Sequence, residues 1–351
     1  MRDVAIVSYA QAPMLRDAGG LSDVEMLVPV IDRALSDVSL ERGDIDFICS
    51  GSCDYLAGGA FSFVMAVDAL GATPSAQESH VEMDAAWALY EAWLKMQAGD
   101  AESALIYGFG KSSPGELPIV LSQQLDPYYL APLWVDTIAF AAMQARYMLD
   151  QGLITERDMA EVVARSRRNA MNNPHAQLKA EVSADQLLTE AHYEAPLRRH
   201  DCCPVSDGAC AMIVCTVEKA REWGKPYAVI KGIDHRIETH HIGSRDLARS
   251  VSVEQSAQAL GVSNGPVDIA ELYAPFSHQE IVLSRALGLD ERTVVNPSGG
   301  VLAGNVMMAS GLSRIGEVAM RLIRKEGRRG VAHATSGPCL QQNLLTVLEA
   351  E

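Results

Sequence analysis

The chain has 351 residues, 48% of them hydrophobic and 21% charged, enough for one large or two intimately packed domains and too apolar for a disordered protein. Its 45 acidic and 29 basic residues leave a formal net charge of −16, which disfavours a general nucleic-acid role but leaves room for a local basic patch that holds an anionic cofactor. No apolar run reaches the roughly 18 residues of a membrane span, and Met1 to Ser8 enters directly as a short strand without a long apolar leader, so a cytoplasmic protein without a secretory signal is expected.

In chain order, Ile31 to Gly51 reads as a helical Ala-Leu element, a polar turn, Asp44-Ile45 and a short apolar strand. Cys49 and Cys53 have CxxxC spacing but no second pair follows, so buried strand thiols are expected and no metal site. The seven cysteines are odd in number and read as reduced. A helix ending in Ala-Leu-Gly covers Phe61 to Gly71, and a long helix runs from about Asp84 to Gln97 after Val81-Glu82.

A less regular region follows from about Lys111 to Leu197. Within it a helix from about Thr137 to Gly152 carries Phe140, Met143, Tyr147 and Met148 at helical spacing. Thr155 reads as the N-cap of a second helix reaching Arg168, and Asn172-Asn173-Pro174 ends it. Arg165, Arg167, Arg168, Arg198 and Arg199 form the densest basic cluster. They read either as a solvated helix face or as contacts for the phosphates of an anionic carrier, with Arg165 and Arg168 as the candidates for that carrier. Arg198 to Val214 reads as a structural crossing, with a tight Asp207-Gly208 turn before a buried strand.

The pattern then repeats. Ser256 to Phe276 matches Ile31 to Gly51 in element order, and each is followed by a Phe-Ser pair and a helix ending in Ala-Leu-Gly, the second from Phe276 to Gly288. The turn cluster Asn296-Pro297-Ser298-Gly299-Gly300 and Gly304 precede an apolar helix expected from about Asn305 to Arg324. Glycines beside a helix start let backbone N–H groups approach a ligand oxygen, or simply cap the helix. Two α/β halves of mixed sheet with one element order imply a duplicated fold. The halves expected are 1–110 with 198–222, and 223–351, with 111–197 as an inserted cover.

Cys202-Cys203-Pro204-Val205-Ser206-Asp207-Gly208-Ala209, the Asn296 to Gly300 loop, and Val81-Glu82 before a long helix together resemble the thiolase superfamily, nearest its sterol-carrier and lipid-transfer branch. The resemblance implies a five-layered αβαβα fold, usually a dimer, acting on coenzyme A thioesters, with no other cofactor. It also implies a nucleophilic cysteine after Val81-Glu82, where this chain reads Met83-Asp84-Ala85-Ala86-Trp87. Gly304-Asn305-Val306 stands in place of a Gly-His-Pro tripeptide, and Tyr273-Ala274 in place of a His-Asp pair. Cys339 lies near where relatives place a second, acid/base cysteine.

Members that lack the thiol resemble aldolases that cleave sterol side chains as coenzyme A thioesters, with a tyrosine where Tyr273 stands and a zinc-ribbon/OB-fold partner protein. Retro-aldol cleavage of a β-hydroxyacyl thioester needs a base for the β-hydroxyl and donors for the enolate oxygen, but no nucleophile. Tyr273 is the candidate base, provided local charge lowers its pKa from about 10. Asn305 and the backbone at Gly304 are the candidate oxyanion donors. His333 reads as a proton shuttle or as a hydrogen-bonded core histidine. Met307 and Met308 read as the wall of an apolar substrate pocket, with Cys339 beside it, or as ordinary core. The alternatives are a non-catalytic subunit of a heteromeric complex, and an acyltransferase using Cys339 or another thiol.

Overall fold

The first half of the chain alternates strands and helices as β1 (Val4–Gln11), α1 (Asp23–Ser36), β2 (Phe47–Gly51), α2 (Asp54–Ala57), α3 (Ser62–Val67), β3 (Gln77–Val81), α4 (Ala85–Ala98) and β4 (Ser103–Gly110). This computed structural model describes residues 2–71 and 76–351. Between β4 and the strand that completes this half lie α5 (Leu117–Ser122), α6 (Thr137–Asp150), α7 (Glu156–Ala170), α8 (Ala184–Leu188) and a small antiparallel pair, β5 (His192–Glu194) and β6 (Leu197–Arg198). The chain re-enters through β7 (Gly208–Thr216) and α9 (Val217–Glu222). The second half runs β8 (Ala228–Ile237), α10 (Val251–Ala259), β9 (Ile269–Leu272), α11 (Ser277–Leu287), β10 (Val294–Val295), α12 (Ser310–Ile323), β11 (Arg329–Ser336) and β12 (Gln342–Ala350).

Ten strands form one sheet in the order β10-β9-β11-β12-β8-β1-β7-β4-β2-β3. From its centre outward, β1-β7-β4-β2-β3 mirrors β8-β12-β11-β9-β10. In each series the first two pairings are antiparallel and the last two parallel. The antiparallel pair β1–β8 joins them. The duplication expected from Ile31–Gly51 and Ser256–Phe276 is therefore architectural, since these segments become the end of α1 with β2 and the end of α10 with β9.

Side-chain alternation sorts the strands into layers. On β1, Val4 and Ile6 join α4 and α12 in a central core, whereas Ala5 and Val7 face α1. On the second half of the sheet, Ala332 and Ala334 face the central helices, while Val331 joins a third cluster with α10 and α11. The result is helix, sheet, paired helices, sheet, helix. Among the described residues no helix is long and apolar enough to cross a membrane.

Small residues let the two central helices approach the strands. Gly316 of α12 faces the Tyr9 ring so closely that an added Cβ would lie 2.3 Å from it. Gly316→Ala is expected to cost about 1–3 kcal/mol through overpacking, read as a lower urea midpoint at unchanged slope. The helix boundaries agree with the sequence pattern for α4, α6 and α7, and Thr155 caps α7 with Asp158 as a capping box. α12 starts at Ser310, not near Asn305. Asn305 and Val306 are held extended instead: Ser206 N donates to Asn305 O at 3.1 Å, Asn305 N donates to Ser206 Oγ at 2.9 Å, and Val306 bridges Ser206.

Candidate active site

The start of α4 is the position where the sequence resemblance implies a nucleophile. Asp84 is its N-cap and accepts from Ala86 N at 2.9 Å. The same buried carboxylate accepts from Gly311 N at 2.9 Å and Leu312 N at 3.1 Å, in the first turn of α12. One carboxylate thus closes the positive ends of both central helices. Burial raises its pKa, and the three N–H donors and Arg314 oppose the rise. Beside it the Ala85 methyl is wedged between two strands. A Cβ at Gly51 would meet Ala85 Cα at 2.5 Å, and one at Gly108 would meet Ala85 Cβ at 2.6 Å. The residues that open α4, Met83 to Trp87, include no cysteine.

Tyr273 follows β9 and packs in the central layer, only 4% exposed. Asn305 lies near its hydroxyl, and Asn305 Nδ2 donates to Cys203 Sγ at 3.3 Å. Asn305 Oδ1 is buried without a hydrogen-bond partner among the described residues. The segment before β7 brings the thiol in, because Cys203 N donates to Pro275 O at 2.8 Å and Cys202 bridges Phe276. Tyr273, Asn305 and Cys203 therefore form one cluster beside Asp84.

The electrostatics of this cluster overturn one expectation. Burial pushes the Tyr273 phenol well above its usual range; Asp84 and Cys203 push the same way, while Arg314 and Asn305 oppose them. The Arg314 cation opposes the rise but does not overcome burial and the Asp84 charge. Tyr273 is thus a neutral hydroxyl at rest. Burial likewise raises the Cys203 thiol to about 11, with Asn305 opposing.

The other candidates fall elsewhere. His333 lies on β11 between Ala332 and Ala334, so it faces the outer layer, across the sheet from Tyr273. It bonds Asn343 Oδ1 through Nε2 at 2.9 Å, and burial lowers its pKa to about 4. This is the core-histidine reading. Cys339 packs with Leu125, Phe140 and Ile242 in a separate cluster, its thiol raised by burial to about 12.

Arg165 is paired with Glu280, and Arg167 donates to Leu302 O. Arg198 pairs with Glu156 at 2.7 Å, and Arg199 stacks on Tyr193. Arg168 is the one member of this basic cluster that is exposed on α7 without such a contact. Gly304 is extended, with Met14 against it. The Met307 and Met308 carbonyls press on Gly110 and Gly108, and their side chains are partly buried.

The Asn296–Gly300 turn is internally occupied and offers no free cradle. Ser298 N and Oγ both donate to Glu271 at 2.8 Å, and Glu271 is fully buried with Arg314 at 2.5 Å. Neither Asp84 nor Cys203 was singled out as a site residue by the sequence, although Cys203 belongs to the Cys202 to Ala209 motif. An aspartate before a helix is an ordinary cap, and the bond from Cys203 to Asn305 spans about a hundred residues.

The folded chain can be placed among known proteins. A crystal structure of human mitochondrial 3-ketoacyl-CoA thiolase superposes with a TM-score of 0.78 at 16% identity, covering 100% of this chain and 99% of that one. An acetyl-CoA acetyltransferase of Methanocaldococcus jannaschii is 28% identical over 92% of this chain and 90% of its own length. The chain thus has the fold of that thiolase and is similar in sequence to that acetyltransferase along most of its length. Human sterol carrier protein 2 is 26% identical over 89% of this chain and 64% of its own length. No protein-family model matches the chain.

Proposed function

We propose that this thiolase-fold chain is a carbon–carbon lyase that cleaves a β-hydroxyacyl-CoA, a sterol side-chain thioester, by a retro-aldol step and releases a short acyl-CoA. The observation that carries the reading is the exchange of parts at the centre of the fold. The start of α4 is closed by Asp84 and Ala85, while Tyr273 and Asn305 lie near each other beside it. Acyl transfer through a thiol at that helix start is therefore unavailable, and acid–base chemistry is what the remaining groups can perform.

Coenzyme A is part of the substrate, as the relatives' names indicate for those proteins. Arg168 is the exposed cation that remains for its phosphates. The likeness to sterol carrier protein 2 and the partly buried Met307 and Met308 support an apolar, bulky acyl group. Asn305 supplies its second amide N–H, the one not given to Cys203, to the enolate oxygen. Tyr273, neutral at rest, works as a relay: its oxygen accepts the β-hydroxyl proton as its own hydrogen moves on. A homodimer or a heteromeric assembly with a zinc-ribbon/OB-fold partner belongs to this reading.

The test is to incubate the chain, alone and with such a partner, with a β-hydroxyacyl-CoA bearing an alicyclic β-carbon. Chromatographic appearance of a ketone and a short acyl-CoA in equal amounts is expected. Acyl exchange with a covalent acyl-cysteine by mass spectrometry, and no ketone, would sink the reading in favour of an acyltransferase.

A further inference from the structure

Retro-aldol cleavage leaves an enolate whose α-carbon needs a proton, and the groups around Tyr273 include one acid not yet used. Cys203 as a whole residue is half-buried, and Asn305 is 5% exposed. The Cys203 backbone is tied to Pro275, two residues beyond Tyr273, and its sulfur receives Asn305 Nδ2 at 3.3 Å. Asn305 Oδ1, buried on the same amide, has no partner among the described residues. An orphaned acceptor on a buried side chain marks a place where a polar group from outside completes the set.

The remaining thiols have other partners. Cys202 Sγ faces Arg198 O at 3.8 Å, Cys339 sits in its own apolar cluster, Cys210 shares the central layer but donates to Ala309 O at 3.4 Å, and Cys49, Cys53 and Cys215 are buried in or beside strands.

We propose that Cys203 is a catalytic acid, delivering the proton that converts the product enolate to the acyl-CoA, an assignment that rests on the lyase reading above. As the Cα–Cβ bond breaks, its electron pair moves into the enolate. The α-carbon then takes the Cys203 hydrogen, so a C–H bond forms while the S–H pair stays on sulfur. The Asn305 N–H group stabilises the thiolate. Tyr273 returns a proton to it, having taken one from the β-hydroxyl, and both side chains end as they began. Burial keeps the thiol protonated at neutral pH, which is the form an acid must have.

The reverse of this step can be read without any cleavage, as exchange of the α-hydrogens of acetyl-CoA for deuterium in D2O. The full chain is expected to exchange them. Cys203→Ala and Cys203→Ser are expected to lose about 100-fold or more, while Cys202→Ala exchanges at the wild-type rate. Thermal unfolding of each variant shows that the fold survives. Exchange by Cys203→Ser at the wild-type rate, or none by the wild-type chain, overturns the assignment. A chain that exchanges through Cys203 yet never yields a ketone supports Cys203 as the α-carbon acid and overturns only the lyase reading.

Discussion

Tyr273→Phe is expected to lower acyl-CoA release by about 10²- to 10⁴-fold while leaving the fold intact, the range associated with a positioned acid or base. That is about 3–5 kcal/mol of barrier. The substitution removes one oxygen and keeps the ring that fills the central core. Asn305 keeps its bonds to Cys203 and Ser206, so the unfolding midpoint is expected to stay near wild type. The pH dependence has a definite sign. Because the phenol is raised and neutral, rate is expected to hold through neutral pH and to change only on the far alkaline side, as Tyr273 ionises. Full cleavage by a folded Tyr273→Phe protein would remove this residue from the mechanism.

Asp84→Ala is expected to produce the largest loss of stability at the site. It strands three buried N–H groups, those of Ala86, Gly311 and Leu312. An unsatisfied buried donor costs about 1–3 kcal/mol, so a total of about 3 kcal/mol or more is expected. The urea midpoint reads it.

Asp84→Asn is expected to be milder. Burial raises the folded-state pKa of Asp84, so this group's contribution is fully present below the unfolded carboxyl pKa, about 3.9, and is lost as pH rises through the raised folded value. At higher pH the charge is therefore a cost, and a neutral amide of the same shape avoids it while keeping one acceptor. Removing the charge also removes a cause of the Tyr273 rise, so ultraviolet titration should show tyrosinate forming at lower pH in Asp84→Asn. An Asp84→Ala protein as stable as wild type would refute the double-cap role.

Much of the fold was legible because it rests on local rules. The capping box at Thr155 and Asp158, the αL glycine Gly288 closing α11, and the Ala-Leu elements ahead of β2 and β9 each act within a few residues. The start of α12 was misplaced because what delays it is Ser206, about a hundred residues away. The basic cluster misled for the same reason: Glu280 and Glu156 claim Arg165 and Arg198 across distance. His333 misled because a strand buried on both faces has no polar side to show which residues share a surface.

By itself the sequence determined the duplicated strand and helix order, and the resemblance it carries singled out Met83 to Trp87, Tyr273 and Asn305 as departures from the family pattern. Only the tertiary structure places Asn305 near Tyr273, bonds it to Cys203 and lets Asp84 serve two helices at once. The division has a physical cause. Helices, caps and turns are set by contacts a few residues apart, whereas burial, the sign of a pKa shift and the sharing of one carboxylate depend on which distant segments fold against each other.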